Sequence, residues 1–302
     1  RYLEVLDRKN VDGILSTPTF NQKENISNII SSDKNQILAD EQWLWKTFQA
    51  ICAMQDYLNK NIWKQALIVA PKNIIPEWKN ELKTHLKPNW EWDDLFENYW
   101  VYVLEAWKKI DLEKLKTASR IIINNEYFVK ESIQNNDEVS TILNNIWYLV
   151  VDESHRLSNK DTKIHKYIDN VVCDKKLFLT WSIYSNKVSK IANMINIMWW
   201  QDSFISFLWD NQGDVSEWSL KKILEDPVNL KLFHTFLFNW NILRKTTDQI
   251  YKTKTVEWEK WLPNIVNTSI DYELNYEQLR LMDELYNNPV EFKKKYAKLY
   301  ST

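Results

Sequence analysis

The segment Ile37–Ile51, ILADEQWLWKTFQAI, contains residues that could bind a phosphate group. Lys46 could neutralise β- and γ-phosphate oxygens, and the hydroxyl of Thr47 could coordinate Mg²⁺ at the start of a predicted helix. Such a loop needs glycines, because its backbone N–H groups must approach the phosphate to about 3 Å. Trp43 and Trp45 occupy those places. With glycine at both positions the segment would read ADEQGLGKT, a phosphate-binding loop. The alternative is a helix that begins with an exposed Lys-Thr pair.

Two adjacent carboxylates, Asp152 and Glu153, follow the apolar run Trp147–Val151 about 105 residues after Lys46. A carboxylate at the carboxyl end of a strand can hold the Mg²⁺ of a nucleotide bound at a neighbouring loop. The glutamate beside it can orient and deprotonate a water molecule. A DExH tetrapeptide alone is a weak signal, because acidic residues often end strands. Its place after a β-type run makes the two elements together a candidate site for nucleotide hydrolysis.

These groups need a scaffold that gathers the ends of several strands, and the sequence predicts a parallel α/β sheet flanked by helices. Apolar β-type runs alternate with amphipathic stretches through about residue 185. The predicted strands are Gln36–Ala39, Ala66–Ala70, Val101–Leu104, Arg120–Ile123, Trp147–Asp152 and Lys176–Thr180. The predicted helices are Lys46–Asn59, Pro76–His85, Leu112–Ala118 and Tyr127–Gln134. We also expect mostly helix over Val188–Asn241, with a loop at Asn211–Trp218, and a helical tail over Tyr272–Tyr300.

The glycine and tryptophan counts of the chain are abnormal, with 2 glycines and 17 tryptophans in 302 residues. Ordinary glycine usage of about 7% predicts roughly 21 glycines, close to the combined count of the two residues. We interpret many of the tryptophans as glycine positions. Such a composition results when a gene that reads UGA as glycine is translated with a code that reads UGA as tryptophan. The alternative is a protein that is genuinely rich in tryptophan.

Composition also bounds the function. The formal net charge is −2, so no global field indicates a nucleic-acid or membrane partner, although a local groove is compatible with this value. Cys52 and Cys173 lie far apart and the four histidines are scattered, so we do not expect a zinc site. No signal peptide or membrane-spanning apolar run is evident, and we expect a cytoplasmic protein without a membrane partner.

The ordered motifs resemble those of the Swi/Snf branch of the superfamily-two helicase-like ATPases over most of the chain. The family's ILADEMGLGKT loop is similar to Ile37–Thr47, and its DExH element is similar to VVDESHRLSN at Val150–Asn159. Further similar elements are Phe20–Gln22, Leu67–Pro71 with Trp78 and Glu81, Leu177–Asn186, Asn241–Ile250, and Leu262–Pro263 followed by Glu273–Tyr286. Three tryptophans fall on family glycines: Trp43, Trp45 and Trp181. Trp78 falls on a family tryptophan, and an aromatic residue is usual at Trp147.

The resemblance implies a RecA-like P-loop NTPase lobe that binds ATP and Mg²⁺, with a helical C-terminal extension. It implies that the residues around the nucleotide are Gln22, which would read adenine, and Asp40, Glu41, Gln42, Trp43, Leu44, Trp45, Lys46 and Thr47. Thr47 and Asp152 would hold Mg²⁺, and the implied catalytic residues are Lys46, Asp152 and Glu153. The residues implied to couple hydrolysis to movement are His155, Thr180, Trp181 and Ser182.

The resemblance also implies partners and an organisation. Motors of this family track along double-stranded DNA through backbone contacts, so no sequence specificity is expected. Residues 1–187 would form the core of the ATP-binding lobe and 188–240 a helical part of it. Residues 241–302 would lead toward a second RecA-like lobe that lies beyond this chain. Because that lobe supplies arginines to the γ-phosphate, we expect very slow hydrolysis by this chain alone.

Some positions depart from the family pattern, and two other functions stay open. Ser182-Ile183 replace Thr-Pro in the coupling element, and Thr247 stands where the family prefers lysine. One alternative is a motor subunit of a restriction enzyme or a DEAD/DEAH-type helicase. The other is a non-enzymatic pseudo-ATPase scaffold, which requires that Trp43 and Trp45 are real and close the site.

Overall fold

The computed structural model describes residues 11–42, 44–87, 100–182, 193–195, 197–198, 225–228, 231 and 242–246. All of them lie in Arg1–Thr253, the first of two units into which the chain divides. The strands are β1 (Gln36–Leu38), β2 (Ala66–Ala70), β3 (Val101–Leu104), β4 (Arg120–Asn124), β5 (Tyr148–Val151), β6 (Lys175–Leu179) and β7 (Ile242–Leu243). The helices are α1 (Phe20–Ser31), α2 (Lys46–Lys60), α3 (Ile75–His85), α4 (Leu112–Thr117), α5 (Asn125–Phe128), α6 (Glu131–Gln134), α7 (Asp137–Asn144) and α8 (Lys163–Asn170). Two 3₁₀ turns cover Lys72–Ile74 and Ser154–Ser158.

The described strands form one seven-stranded sheet in the order β3-β4-β2-β5-β6-β1-β7. Every neighbouring pair is parallel, which confirms the predicted α/β fold. Strand β2 is buried along its whole length. Leu67 and Val69 belong to a different hydrophobic cluster from Ala66 and Ile68, as the alternation of side chains along a strand requires. The sheet is therefore covered on both faces, and polar side chains that bind a ligand or take part in catalysis must lie at the ends of its strands.

The predicted strands are confirmed to within one residue at each end, and so are the predicted helices that became α2, α3 and α4. Strand β7 was not predicted as a strand. Its two residues pair with Ile37 and Leu38 of β1, so the segment that begins at residue 241 contributes to the sheet of the lobe. Helices α1, α7 and α8 were not predicted as separate elements either.

The prediction of one helix over Tyr127–Gln134 was wrong, because the segment forms the two short helices α5 and α6. The backbone of Lys130 between them is extended, with ψ at 141°. Phe128 and Ile133 are both fully buried in the same cluster. Five residues apart on one helix, these side chains would point about 140° away from each other. The break allows both of them to reach the core.

The predicted loop at Asn211–Trp218 and the helical tail Tyr272–Tyr300 lie outside the described residues, as does nearly all of Val188–Asn241. Within that last range, residues 193–195 and 197 are helical. A bilayer-spanning helix, which would have to be long and apolar, does not occur in the part of the chain that the structure describes.

Candidate nucleotide-binding site

The residues predicted to act on a nucleotide gather at the carboxyl edge of the sheet. Asp152 follows β5 directly and Thr180 follows β6 directly, while the loop that leads to Lys46 follows β1. Strand β6 lies between β5 and β1 and pairs in parallel with both. The ends of three neighbouring strands therefore meet at one place, which is where open parallel sheets bind ligands.

Lys46 is the first residue of α2, and its ammonium lies within its own loop. The Nζ atom donates hydrogen bonds to the carbonyl oxygens of Asp40 at 2.7 Å and Glu41 at 3.1 Å. Burial lowers the pKa of Lys46, whereas the carboxylates of Asp40, Asp152 and Glu153 act in the opposite direction. A partly desolvated cation beside these carboxylates fits the phosphate groups of a nucleotide together with their metal ion.

The backbone at Trp45 is in the left-handed region, with φ at 59° and ψ at 49°. Among the described residues other than glycine, only Trp45 and Glu153 have a positive φ. A bulky side chain in this region is a genuine outlier, and glycine is the residue that adopts it without a steric cost. The indole is 56% exposed, so burial does not explain its presence. This geometry favours the glycine interpretation of position 45; Trp43 lies outside the described residues.

Helix α2 begins without a side-chain cap, because the indole of Trp45 at its N-cap position has no acceptor atom for the N–H groups of the first turn. The first N–H groups of a helix have no intrahelical partner, and together with the helix dipole they favour an anion. Thr47, in the same turn, is half-buried. The helix start and the Lys46 ammonium thus offer donors and a positive charge to a phosphate.

Asp152 is buried and held by two hydrogen bonds. Its Oδ2 accepts from the indole Nε1 of Trp78 at 2.8 Å, and its Oδ1 accepts from the backbone N–H of Glu153 at 2.8 Å. Burial raises the pKa of Asp152, and the Trp78 hydrogen bond partly offsets this rise. Glu153 has φ at 49°, and its Oε2 lies 3.0 Å from Nδ1 of His155. The Asp152 carboxylate is therefore held in one orientation at the edge of the sheet, with Glu153 and His155 next to it.

Asp40 is placed differently from what its predicted role in nucleotide binding suggests. It is 1% exposed, and its Oδ2 accepts from Asn25 Nδ2 at 2.8 Å and from Gln49 Nε2 at 3.0 Å. Its Oδ1 accepts from the backbone N–H of Lys245 at 2.8 Å. Gln49 also donates to the carbonyl of Leu44 in the loop. The Asp40 carboxylate thus ties together α1, α2 and the residues after β7, and it supports the loop from behind.

Gln22 lies in the first turn of α1, and its Oε1 accepts a hydrogen bond from the backbone N–H of Thr19 at 2.9 Å. Contact with a base without loss of this cap would have to come from its Nε2 group. The remaining predicted loop residues differ in exposure. Gln42 is exposed, Leu44 is buried, and Glu41 is half-buried with its backbone N–H bonded to the carbonyl of Lys245.

The predicted coupling residues lie at the ends of β5 and β6. Thr180 is buried, and its Oγ1 donates to the carbonyl of Ser182 at 3.0 Å and accepts from the N–H of Ser182 at 3.2 Å. The backbone N–H of Thr180 bonds to the carbonyl of Leu38, so this turn is anchored to β1. Trp181, within the turn, is half exposed. The turn touches the same strand that carries the Lys46 loop, while His155 follows β5.

Sequence reasoning missed four residues that organise the site: Trp78, Asn25, Gln49 and Lys245. Trp78 was matched to a family tryptophan but was given no role. The available signal was its place on the helix after β2, the strand that neighbours β5. Asn25 and Gln49 are polar residues on otherwise apolar helix faces, which is a sign of a buried hydrogen-bond network.

Comparisons with known proteins identify the family of the chain. The chain matches the model of the SNF2-related domain family over residues 21–297, and it belongs to that family. This match favours the Swi/Snf resemblance over a restriction-type or DEAD/DEAH-type motor.

The relatives of this chain are similar to it over only part of their length. It is 25% identical to the uncharacterized ATP-dependent helicase YqhH of Bacillus subtilis, over 60% of this chain and 29% of that protein. It is 26% identical to the DNA repair and recombination protein RAD54B of Gallus gallus, over 66% of this chain and 20% of that protein. The chain thus spans less than a third of the length of these curated relatives.

Among solved structures, the Sulfolobus solfataricus SWI2/SNF2 ATPase core in complex with dsDNA is similar, with a TM-score of 0.62 and 20% sequence identity. The similarity covers 94% of this chain and 55% of that one. The Sulfolobus solfataricus SWI2/SNF2 ATPase core domain is also similar, with a TM-score of 0.59. At this identity the likeness establishes the fold alone, which is RecA-like.

Proposed function

We propose that this chain is the ATP-binding lobe of a Swi/Snf-type DNA-dependent ATPase. The observation that carries the proposal is the position of Lys46. Lys46 follows β1 and Asp152 follows β5, more than 100 residues later in the sequence, and β6 pairs in parallel with both strands, so the two residues lie at the same edge of the sheet. The carboxylates of Asp152 and Glu153 also act to raise the pKa of Lys46, against the effect of burial. A phosphate-neutralising cation, a metal-binding carboxylate and a general base are the parts that ATP hydrolysis needs in one place.

The proposed roles follow from these positions. Lys46 would contact the β- and γ-phosphates, Thr47 and Asp152 would hold Mg²⁺, and Glu153 would orient the attacking water. When bound, Mg²⁺ would neutralise charge on the phosphate oxygens. The loop that ends at Trp45 and the first turn of α2 would offer backbone N–H groups to the phosphates, and Gln22 would contact adenine. His155, Thr180, Trp181 and Ser182 would pass the state of the nucleotide to DNA and to the second lobe.

Double-stranded DNA is the proposed substrate track, and a second RecA-like lobe of the same full-length protein is the proposed partner. A similar solved structure is an ATPase core in complex with dsDNA, and the relatives include, by name, a DNA repair and recombination protein and a chromatin-remodeling ATPase. We also propose the boundaries 1–187 for the core, 188–240 for a helical part and 241–302 for the connection. Strand β7 supports a connection that starts from within the sheet of the lobe.

Equilibrium binding of ATP·Mg²⁺ by calorimetry tests the proposal. The chain with Trp43→Gly and Trp45→Gly should bind ATP·Mg²⁺, and Lys46→Ala in that background should weaken binding by about 10- to 150-fold. This factor corresponds to the loss of one charge-assisted contact. Lys34→Ala is the matched control, because it removes the same charge from an exposed residue before β1, at the opposite edge of the sheet. Equal binding by the Lys46→Ala and Lys34→Ala variants would contradict the proposal.

A second candidate is a pseudo-ATPase whose loop is closed by its own residues. The observation that favours it is the pair of hydrogen bonds from Lys46 to the Asp40 and Glu41 carbonyls, which place the ammonium inside the loop. The chain with tryptophan at positions 43 and 45 separates the two candidates. If the protein is a pseudo-ATPase, the codons at both positions are UGG and the chain that keeps both tryptophans does not bind ATP.

A further inference from the structure

Trp78 occupies a position in the core from which it contacts the candidate site. It lies on α3, is fully buried, and is the only described tryptophan in either hydrophobic cluster. Its indole Nε1–H donates to Oδ2 of Asp152 at 2.8 Å, across 74 residues of sequence. A buried indole needs an acceptor for its N–H, and here the acceptor is the carboxylate predicted to hold Mg²⁺.

The fold fixes both ends of this hydrogen bond. Strands β2 and β5 are neighbours, and the backbone N–H of Asp152 continues their ladder by bonding to the carbonyl of Val69. Helix α3 follows β2 after Pro71 and one 3₁₀ turn, so Trp78 reaches the end of the adjacent strand. The backbone of Asp152 is thus held by β2 itself, and its side chain is held by the helix that follows β2.

The two hydrogen bonds to Asp152 determine the orientation of its carboxylate. Oδ1 accepts from the N–H of Glu153 and Oδ2 accepts from Trp78, so rotation about the side-chain bonds would break at least one of them. An ionised carboxylate has about four lone-pair positions, and these bonds use one on each oxygen. The other positions keep a fixed direction, which is what a metal ligand requires.

We infer that Trp78 is a positioning residue for Mg²⁺, because its indole N–H orients the Asp152 carboxylate for the metal. The inference rests on the proposed ATP-binding function. Outer hydrogen-bond partners of metal ligands act in this way, and their removal typically weakens metal binding by 10- to 100-fold. Trp78 is thereby also a position at which the tryptophan is required by its chemistry, in contrast to Trp45.

The test compares Trp78→Phe with the chain that binds ATP in the experiment above. Phenylalanine fills most of the same space but has no N–H donor. The affinity for ATP is measured in excess EDTA and then across a titration with Mg²⁺. We expect Trp78→Phe to change the affinity for metal-free ATP by no more than about twofold. The Mg²⁺ concentration that gives half of the maximal increase in ATP affinity should rise by about 10- to 100-fold. Thermal unfolding verifies that each variant is folded.

Leu82→Ala is the matched control, because Leu82 is fully buried on the same helix and in the same cluster as Trp78. It weakens packing without removing a partner of Asp152, so the Mg²⁺ dependence should stay that of the parent chain. An unchanged Mg²⁺ dependence in Trp78→Phe would overturn the inference, and so would an equal shift in Leu82→Ala. If no form of the chain binds ATP, the proposed function fails and this inference fails with it. A shift confined to Trp78→Phe supports the inference.

Discussion

The strained backbone at Trp45 allows the glycine interpretation to be tested by protein stability alone. Trp45→Gly and Trp45→Ala both remove the half-exposed indole, so the two variants differ only by a Cβ atom at φ 59°. An L-residue in the left-handed region costs roughly 1–2 kcal/mol. Alanine also lowers the conformational entropy of the unfolded chain relative to glycine, which stabilises the alanine variant by about 0.4–1 kcal/mol. We therefore expect the glycine variant to be more stable than the alanine variant by roughly 0.5–1 kcal/mol.

The free energy of unfolding is measured for both variants by urea titration, and midpoints are compared at equal slope. Trp63 provides the control, because it is 94% exposed in the turn that closes between Asn61 and Lys64 and its φ is not positive. There alanine should be at least as stable as glycine. The reasoning is refuted if alanine is equal to or better than glycine at position 45, since the Cβ atom would then carry no cost.

Three further predictions concern the gene, the second lobe and the buried carboxylate. Sequencing of the gene should find UGG at Trp78 and UGA at Trp43, Trp45 and Trp181; UGG at the two loop positions would reject the mistranslation interpretation. The chain with glycine at those three positions should show almost no DNA-stimulated hydrolysis, and addition of the downstream lobe should raise the rate by roughly 10³–10⁵, because an arginine from across the cleft stabilises the transition state. Rapid turnover by the chain alone, measured as phosphate release, would contradict the split site. Asp40→Ala should lower the free energy of unfolding by about 2–4 kcal/mol, because buried donors lose their acceptor. Asp161→Ala, at an exposed position, should cost much less in the same urea titration, and equal losses would argue against the network.

Much of the fold could be predicted because buried parallel strands are continuous apolar runs. Ala66–Ala70 and Tyr148–Val151 are buried at every residue, so their hydrophobic residues are consecutive and do not alternate with polar ones. Strand β7 could not be predicted in the same way. Its two residues form a strand only because Ile37 and Leu38 of β1 lie beside them, more than 200 residues earlier in the chain. Local pattern carries no information about such a partner.

The grouping of Lys46 with Asp152 could be predicted, because parallel strands present their carboxyl ends at one edge. The functions of individual polar side chains at that edge could not. Asp40 and Glu41 are adjacent acidic residues, yet the first is enclosed by Asn25, Gln49 and Lys245 while the second is half-buried. Which of them faces inward depends on the direction in which the chain leaves β1, and two helices decide that direction by supplying amide donors.

Four described tryptophans differ in the contacts that their side chains make and in the backbone geometry at their positions. Trp78 is fully buried and its N–H is hydrogen-bonded, so both the apolar surface and the donor group of the indole make contacts. Trp147, at an aromatic family position, has the Lys64 ammonium 4.0 Å from its ring centre. Trp45 and Trp181 are half exposed, and each lies in a segment that follows a strand end, the loop before α2 in the first case and the turn after β6 in the second. An exposed indole gains little from burial, and at position 45 its Cβ atom adds strain. Selection for side-chain chemistry would retain tryptophan at the first two positions, whereas selection for backbone geometry would place glycine at the last two.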